Sequence, residues 1–172
     1  MIRRIREIIF FVLFVLFQTL VISNIRLFGI VTPFIYIYVI MKFRIDISRS
    51  FMILLSFLLG LIIDIFSNTY GLHAAACTFI GFIRQPLIES FIDTKELPDG
   101  SVPSFRLFGF AKFFRYALLL VSLHHVILFV IDAFGFHQPL LLLIRMLSSI
   151  ALSLLLIFIV ESFNQGKVKR GE

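Results

Sequence analysis

Asp64, His73, Arg84, His124, His125, Asp132 and Arg145 stand in stretches that are otherwise apolar. An ionisable group in a hydrophobic stretch costs about 2.5–3.5 kcal/mol on membrane-insertion scales, so each of these is a functional candidate. Asp64 comes just before a short polar turn, Ser67-Asn68-Thr69-Tyr70-Gly71, and His73 comes just after it. Two antiparallel helices joined there would set both side chains at similar depth. A hydrogen-bonded Asp64–His73 pair is therefore expected, serving either to hold the hairpin together or to face a partner or ligand. His124 and His125 lie mid-way along a later apolar run, and His125 shares a helical face with Asp132 seven residues on. Arg145 is followed by Ser149 and Ser153 at i+4 and i+8, and is a counter-ion candidate for Asp64 or Asp132. Such a set could relay protons, but it serves more simply as an internal polar network.

Enzyme templates fit poorly. There is no H-E-x-x-H pair for zinc, and adjacent histidines project about 100° apart on a helix. No G-x-S-x-G elbow, glycine-rich phosphate loop or Cys/His cluster is present. The expectation is a non-enzymatic protein without metal or cofactor. Cys77 is the single cysteine, so it can form no intrachain disulfide.

Between His73 and Arg84 the residues Ala74, Cys77, Thr78 and Gly81 recur at spacings of three and four, and Gly60 and Gly71 stand just before them. Small residues in such a stripe let a second helix approach closely. His73 and Arg84 are eleven positions apart, which brings them within about 20° on a helical wheel. Pro86 follows and should kink the helix or end it. Close packing within the molecule, with Arg84 reaching inward towards the headgroups, is the plainer reading of this face. A surface for a partner is the other.

The elements that must carry these residues follow from composition. The chain has 172 residues and is 60% hydrophobic, with a mean hydropathy of +1.05. A soluble domain of this size could not hide so much apolar surface, because much of a small protein's surface faces water. A bilayer removes that difficulty, at about 20 residues per spanning helix. Apolar runs predict about six membrane helices in a single all-α domain, near residues 8–23, 27–41, 51–66, 72–88, 110–131 and 138–160. The first follows Arg3, Arg4 and Arg6 but lacks an A-x-A-like cleavage site, so it is expected to be a retained span. Pro33 opens the second, where a missing amide is best tolerated. Trp is absent, so Tyr36, Tyr38, Tyr70 and Tyr116, with the many Phe, are expected to supply any interfacial belt. The one substantial loop covers about 93–109, with Pro98, Gly100 and Pro103.

The formal charge is +6, but the basic residues sit in short clusters flanking apolar runs, which argues against nucleic acid. Alternate connections hold Arg3, Arg4 and Arg6; Lys42, Arg44 and Arg49; Lys95, Arg106 and Lys112; and Lys167, Lys169 and Arg170. The others hold only Arg26. That asymmetry predicts both termini in the cytoplasm.

The segment Gly60-Leu61-Ile62-Ile63-Asp64, the polar turn, and Gly71-Leu72-His73-Ala74 resemble the rod shape-determining protein MreD family. That family has a G-x-x-x-D helix end, a Ser/Gly-rich turn and a G-x-x-A start. Gln18 and Pro33 also look like the family, as do the size and the cytoplasmic termini. The resemblance covers about fifteen residues in motif and most of the chain in layout, and the last two spans add little to it. It implies a non-enzymatic, multi-pass subunit of the cell-elongation (rod) complex in the bacterial cytoplasmic (inner) membrane, supporting cell shape and peptidoglycan synthesis. The partners implied are MreC above all, then MreB, RodA and its partner transpeptidase, besides membrane lipid. It also implies a fold similar to the substrate-binding subunits of energy-coupling-factor transporters. The alternative reading is therefore a small-molecule-binding transporter subunit, although the mostly apolar connections offer few polar groups to hold a polar vitamin.

Overall fold

A computed structural model describes residues 31–132 and 138–164. The described residues are mostly helical and form no strand. In chain order the helices are α1 (Ile37–Met41), α2 (Arg49–Ser67), α3 (Leu72–Phe91), α4 (Phe105–Asp132) and α5 (Pro139–Asn164). Three of them, α2, α4 and α5, are long and apolar enough to cross a membrane. The expected span at 8–23, with Gln18, lies outside the described residues.

Helices α2 and α3 form an antiparallel hairpin whose contact is set by glycine. A Cβ added at Gly60 would stand 2.5 Å from both the Ala74 Cα and the His73 carbonyl oxygen, and one at Gly81 2.7 Å from the Ser56 Cβ. The expected stripe of Ala74, Cys77 and Gly81 therefore faces α2, with Ala74 and Cys77 buried. Thr78 is half-buried and turns its hydroxyl back to the Ala74 carbonyl, 2.6 Å away. In a bilayer apolar side chains gain little by leaving lipid for protein, so this backbone proximity is what drives the pairing. Gly71 differs from the rest of the stripe. It has open space around its Cβ position and a φ of +82°, so it serves the turn rather than the packing. Asn68, at φ 54° and ψ 45°, ends α2 in the same left-handed region, which Asn tolerates better than most residues.

Helix α3 continues through Pro86 to Phe91, so the proline neither ends it nor marks its exit. A proline removes a single ladder bond, and packing on both neighbours holds the remaining turns. Helix α4 is interrupted at Gly109, with φ 72° and ψ 162°, a conformation open essentially to glycine alone. The turn before it packs Phe105 and Phe108 against Phe113, with ring centroids 4.8 and 6.5 Å away.

The largest departure from expectation is the described part of the predicted second span. Residues 31–36 are not helical, and only the five residues of α1 follow. Irregular backbone can sit at membrane depth only where protein satisfies its polar groups. Here side chains of later helices do so. The Phe34 N–H donates to Ser153 Oγ at 2.9 Å and the Thr32 N–H to Ser149 Oγ at 3.2 Å. Tyr36, Ile37, Ile40 and Met41 are fully buried, and this segment fills the centre of the bundle. Outward faces are apolar, as at Ile65, Leu140 and Leu155, which suits lipid.

Candidate functional site

The hairpin turn is organised by Asp64, which is 3% exposed. Its carboxylate accepts the Thr69 hydroxyl at 2.5 Å, the His73 backbone N–H at 3.0 Å and the Ala74 backbone N–H at 2.8 Å. It thus meets the unpaired amides at the start of α3, where a negative charge is also favoured by the helix dipole. Asp64 and His73 do meet, but through the His73 backbone and not its imidazole. A carboxylate placed to receive amide donors needs no acid–base partner, and the ring is left free to point elsewhere.

It points into a buried polar cluster. Tyr36 Oη lies 2.7 Å from His73 Nδ1 and 2.8 Å from His124 Nε2, joining the central segment, α3 and α4. His125 Nδ1 donates to the Val121 carbonyl at 2.8 Å, so its Nε2 is the acceptor for the Ser153 hydroxyl at 3.2 Å. That hydroxyl in turn accepts from the Phe34 amide. Phe34 packs its ring among the three imidazoles at centroid distances of 5.3–6.0 Å. His124 Nδ1 is buried with no hydrogen-bond partner.

Arg84 is fully buried. Its Nη2 donates to the Met41 carbonyl at 3.3 Å and to the Phe43 carbonyl, at the end of α1. Tyr116 donates to the same Met41 oxygen at 3.2 Å. The guanidinium therefore terminates a helix too short to satisfy its own carbonyls, while its Nε and Nη1 have no partner.

Near this same end a second ionic site joins three elements. Lys42 Nζ lies 3.0 Å from Glu161 Oε2 and donates to the Pro103 carbonyl at 2.6 Å. Tyr38 donates to Glu161 at 2.7 Å, and the Phe105 N–H to its other oxygen at 3.3 Å. Burial pushes the Lys42 ammonium below its ordinary range, opposed by the Glu161 charge. In the adjoining loop the Ile45 N–H donates to the Ser101 carbonyl at 2.9 Å, and Arg44 pairs with Asp46.

Of the residues singled out from sequence, Asp64, His73 and Arg84 are buried at polar joints, whereas Arg145 is exposed and forms no ion pair among the described residues. Of its expected partners, Asp64 is met by amides and Asp132 is exposed. Sequence reasoning assigned Tyr36, Tyr38 and Tyr116 to an interfacial belt, yet all three are buried and hydrogen-bonded, and Tyr70 alone of the four is exposed. Lys42 was read only as a flanking charge, and Glu161 was missed. Glu161 is the one acid between Asp132 and Glu172, and that isolation was the available signal. No protein-family model, curated protein or solved structure was found to match this chain.

Proposed function

We propose that this chain is a non-enzymatic membrane subunit of the bacterial cell-elongation complex, similar to MreD, that binds MreC in the cytoplasmic membrane. The observation carrying the reading is that the residues of the resemblance act as one physical unit. Gly60 admits the Ala74 backbone, Asp64 caps the helix that Gly71 opens, and Thr69 closes the turn on Asp64. A motif whose members depend on one another in this way is a stronger basis for resemblance than scattered small residues. The basic residues add to it: Lys42, Arg44, Arg49, Lys95 and Arg106 lie at the end of the bundle that holds the long loop, which we assign to the cytoplasm. The stripe on α3 is occupied by α2, so MreC would be held by other lipid-facing helix surfaces and by the connections at the turn end. Six spans and a fold like the transporter substrate-binding subunits belong to the same proposal.

The test is co-purification of an MreC-like scaffold with the full chain in mild detergent, normalised to the abundance of the chain. Recovery is expected for wild type and for variants of the buried polar cluster that remain folded. No recovery from wild-type membranes would refute the reading. The second reading, a small-molecule-binding transporter subunit, draws on the Tyr36–His73–His124 cluster as a polar centre in an apolar core. A metabolite retained through the same purification, without a scaffold, would favour it.

A further inference from the structure

We propose that His73, Tyr36 and His124 form a proton relay in which the two histidines change tautomer together. The argument rests on counting protons. Tyr36 is fully buried, and its phenol has one hydrogen and two imidazole nitrogens in bonding range, at 2.7 and 2.8 Å. It can donate to one and must accept from the other. With both rings neutral, two arrangements satisfy all three groups. In one, Tyr36 donates to His73 Nδ1 and accepts from His124 Nε2–H, so both rings carry their proton on Nε2. In the other, Tyr36 accepts from His73 Nδ1–H and donates to His124 Nε2, so both carry it on Nδ1. Mixed tautomers leave the buried phenol with two donors or two acceptors facing it.

Passing between the arrangements transfers one proton from end to end. Starting with both rings protonated on Nδ1, a hydronium ion gives a proton to His73 Nε2 and leaves as water. The Nδ1 proton of His73 moves to the Tyr36 oxygen, and the Tyr36 proton moves to His124 Nε2. The Nδ1 proton of His124 then passes to a water molecule, which leaves as hydronium. Charge and protons balance, and Tyr36 ends as it began. The relay needs water at both terminal atoms. His124 Nδ1 is buried without a partner, and among the described residues His73 Nε2 makes no hydrogen bond. His125 next door is excluded, because the Val121 carbonyl fixes its proton on Nδ1 and Ser153 occupies Nε2.

The titratable groups around the relay come from each neighbouring element. Asp64 of α2 accepts from the His73 and Ala74 amides. Cys77 of α3 is buried, and Asp132 of α4 is exposed. His125 lies beside His124, with ring centroids 5.6 Å apart. Helix α5 contributes the neutral Ser153.

Nitrogen-15 NMR of the full chain, labelled at histidine and held in lipid nanodiscs, reads the tautomer of each ring. Assignments come from single His→Gln variants. The relay requires that His73 and His124 show the same tautomer and interconvert with one common rate from about pH 5 to 8. Tyr36→Phe, which removes a single oxygen, should abolish the common rate and let the two rings settle independently. His125 should stay protonated on Nδ1 in both proteins, reporting that the core is intact. Opposite tautomers in the wild type, a single frozen tautomer across the range, or rings unaffected by Tyr36→Phe with His125 unchanged would each overturn the proposal. If Tyr36→Phe disturbs His125 as well, the wild-type measurement alone decides.

Discussion

Gly60→Ala adds one methyl group at the closest approach of α2 and α3, and the structure indicates its cost. The new Cβ would lie 2.5 Å from the Ala74 Cα and the His73 carbonyl oxygen and 2.7 Å from the Ala74 nitrogen. All three atoms are backbone, so no rotamer change relieves the clash. The helices must part by about 0.9 Å to reach 3.4 Å, the near edge of ordinary contact. The same two residues give their amides to Asp64 at 3.0 and 2.8 Å, and that displacement would carry both bonds out of range. Overpacking alone costs about 1–3 kcal/mol, and losing one charge-assisted bond adds about 1.5–3 kcal/mol. The expected destabilisation is therefore about 3 kcal/mol or more, measured by reversible unfolding of the detergent-solubilised chain in sodium dodecyl sulfate with circular dichroism. Ala74→Gly in the same chain should give no rescue, because it removes a methyl and leaves the clashing atoms in place. A Gly60→Ala variant within about 0.5 kcal/mol of wild type, the range of an ordinary surface change, would refute the reasoning.

Asp64→Asn retains one acceptor oxygen while Asp64→Leu retains none, so membrane accumulation should fall more for Leu; equal, wild-type levels for both would remove the capping role. Lys42→Met strands the Glu161 carboxylate, which is 1% exposed, and should cost about 3 kcal/mol in the same unfolding assay. Adding Glu161→Leu should recover part of that loss, since replacing both partners of a buried pair is often near neutral. The hydrogen bond from Arg44 holds the Asp46 carboxyl below its usual 3.8. The stabilisation from that pair is accordingly present above pH 3.8 and lost as pH falls further, and carbon-13 NMR titration of Arg44→Gln should show the Asp46 value rising.

Long apolar runs made the helices legible. The expected 51–66 became Arg49–Ser67, and 72–88 became Leu72–Phe91. The expected start at 110 coincides with the break at Gly109. Asp64, His73 and Arg84 were recognisable because charge inside such runs is rare. Their partners were not, for a physical reason: Asp64 binds amides and Arg84 binds carbonyls, and every residue type presents those. The segment at 31–36 was illegible on the same grounds. Hydropathy reads its residues as a span, whereas the far-off Ser149 and Ser153 bind amides of its irregular backbone.

That arrangement has a consequence for biogenesis. The central segment emerges from the ribosome early, whereas the hydroxyls that satisfy its amides and the Glu161 that engages Tyr38 are among the last parts of the described chain to be made. Until α5 arrives, the segment has bare backbone groups that lipid cannot solvate. It must therefore wait in a hydrated or chaperoned position at the insertion site and enter the bundle late. Chains stalled before residue 149 should leave it open to aqueous labelling, and chains extended past residue 164 should shield it.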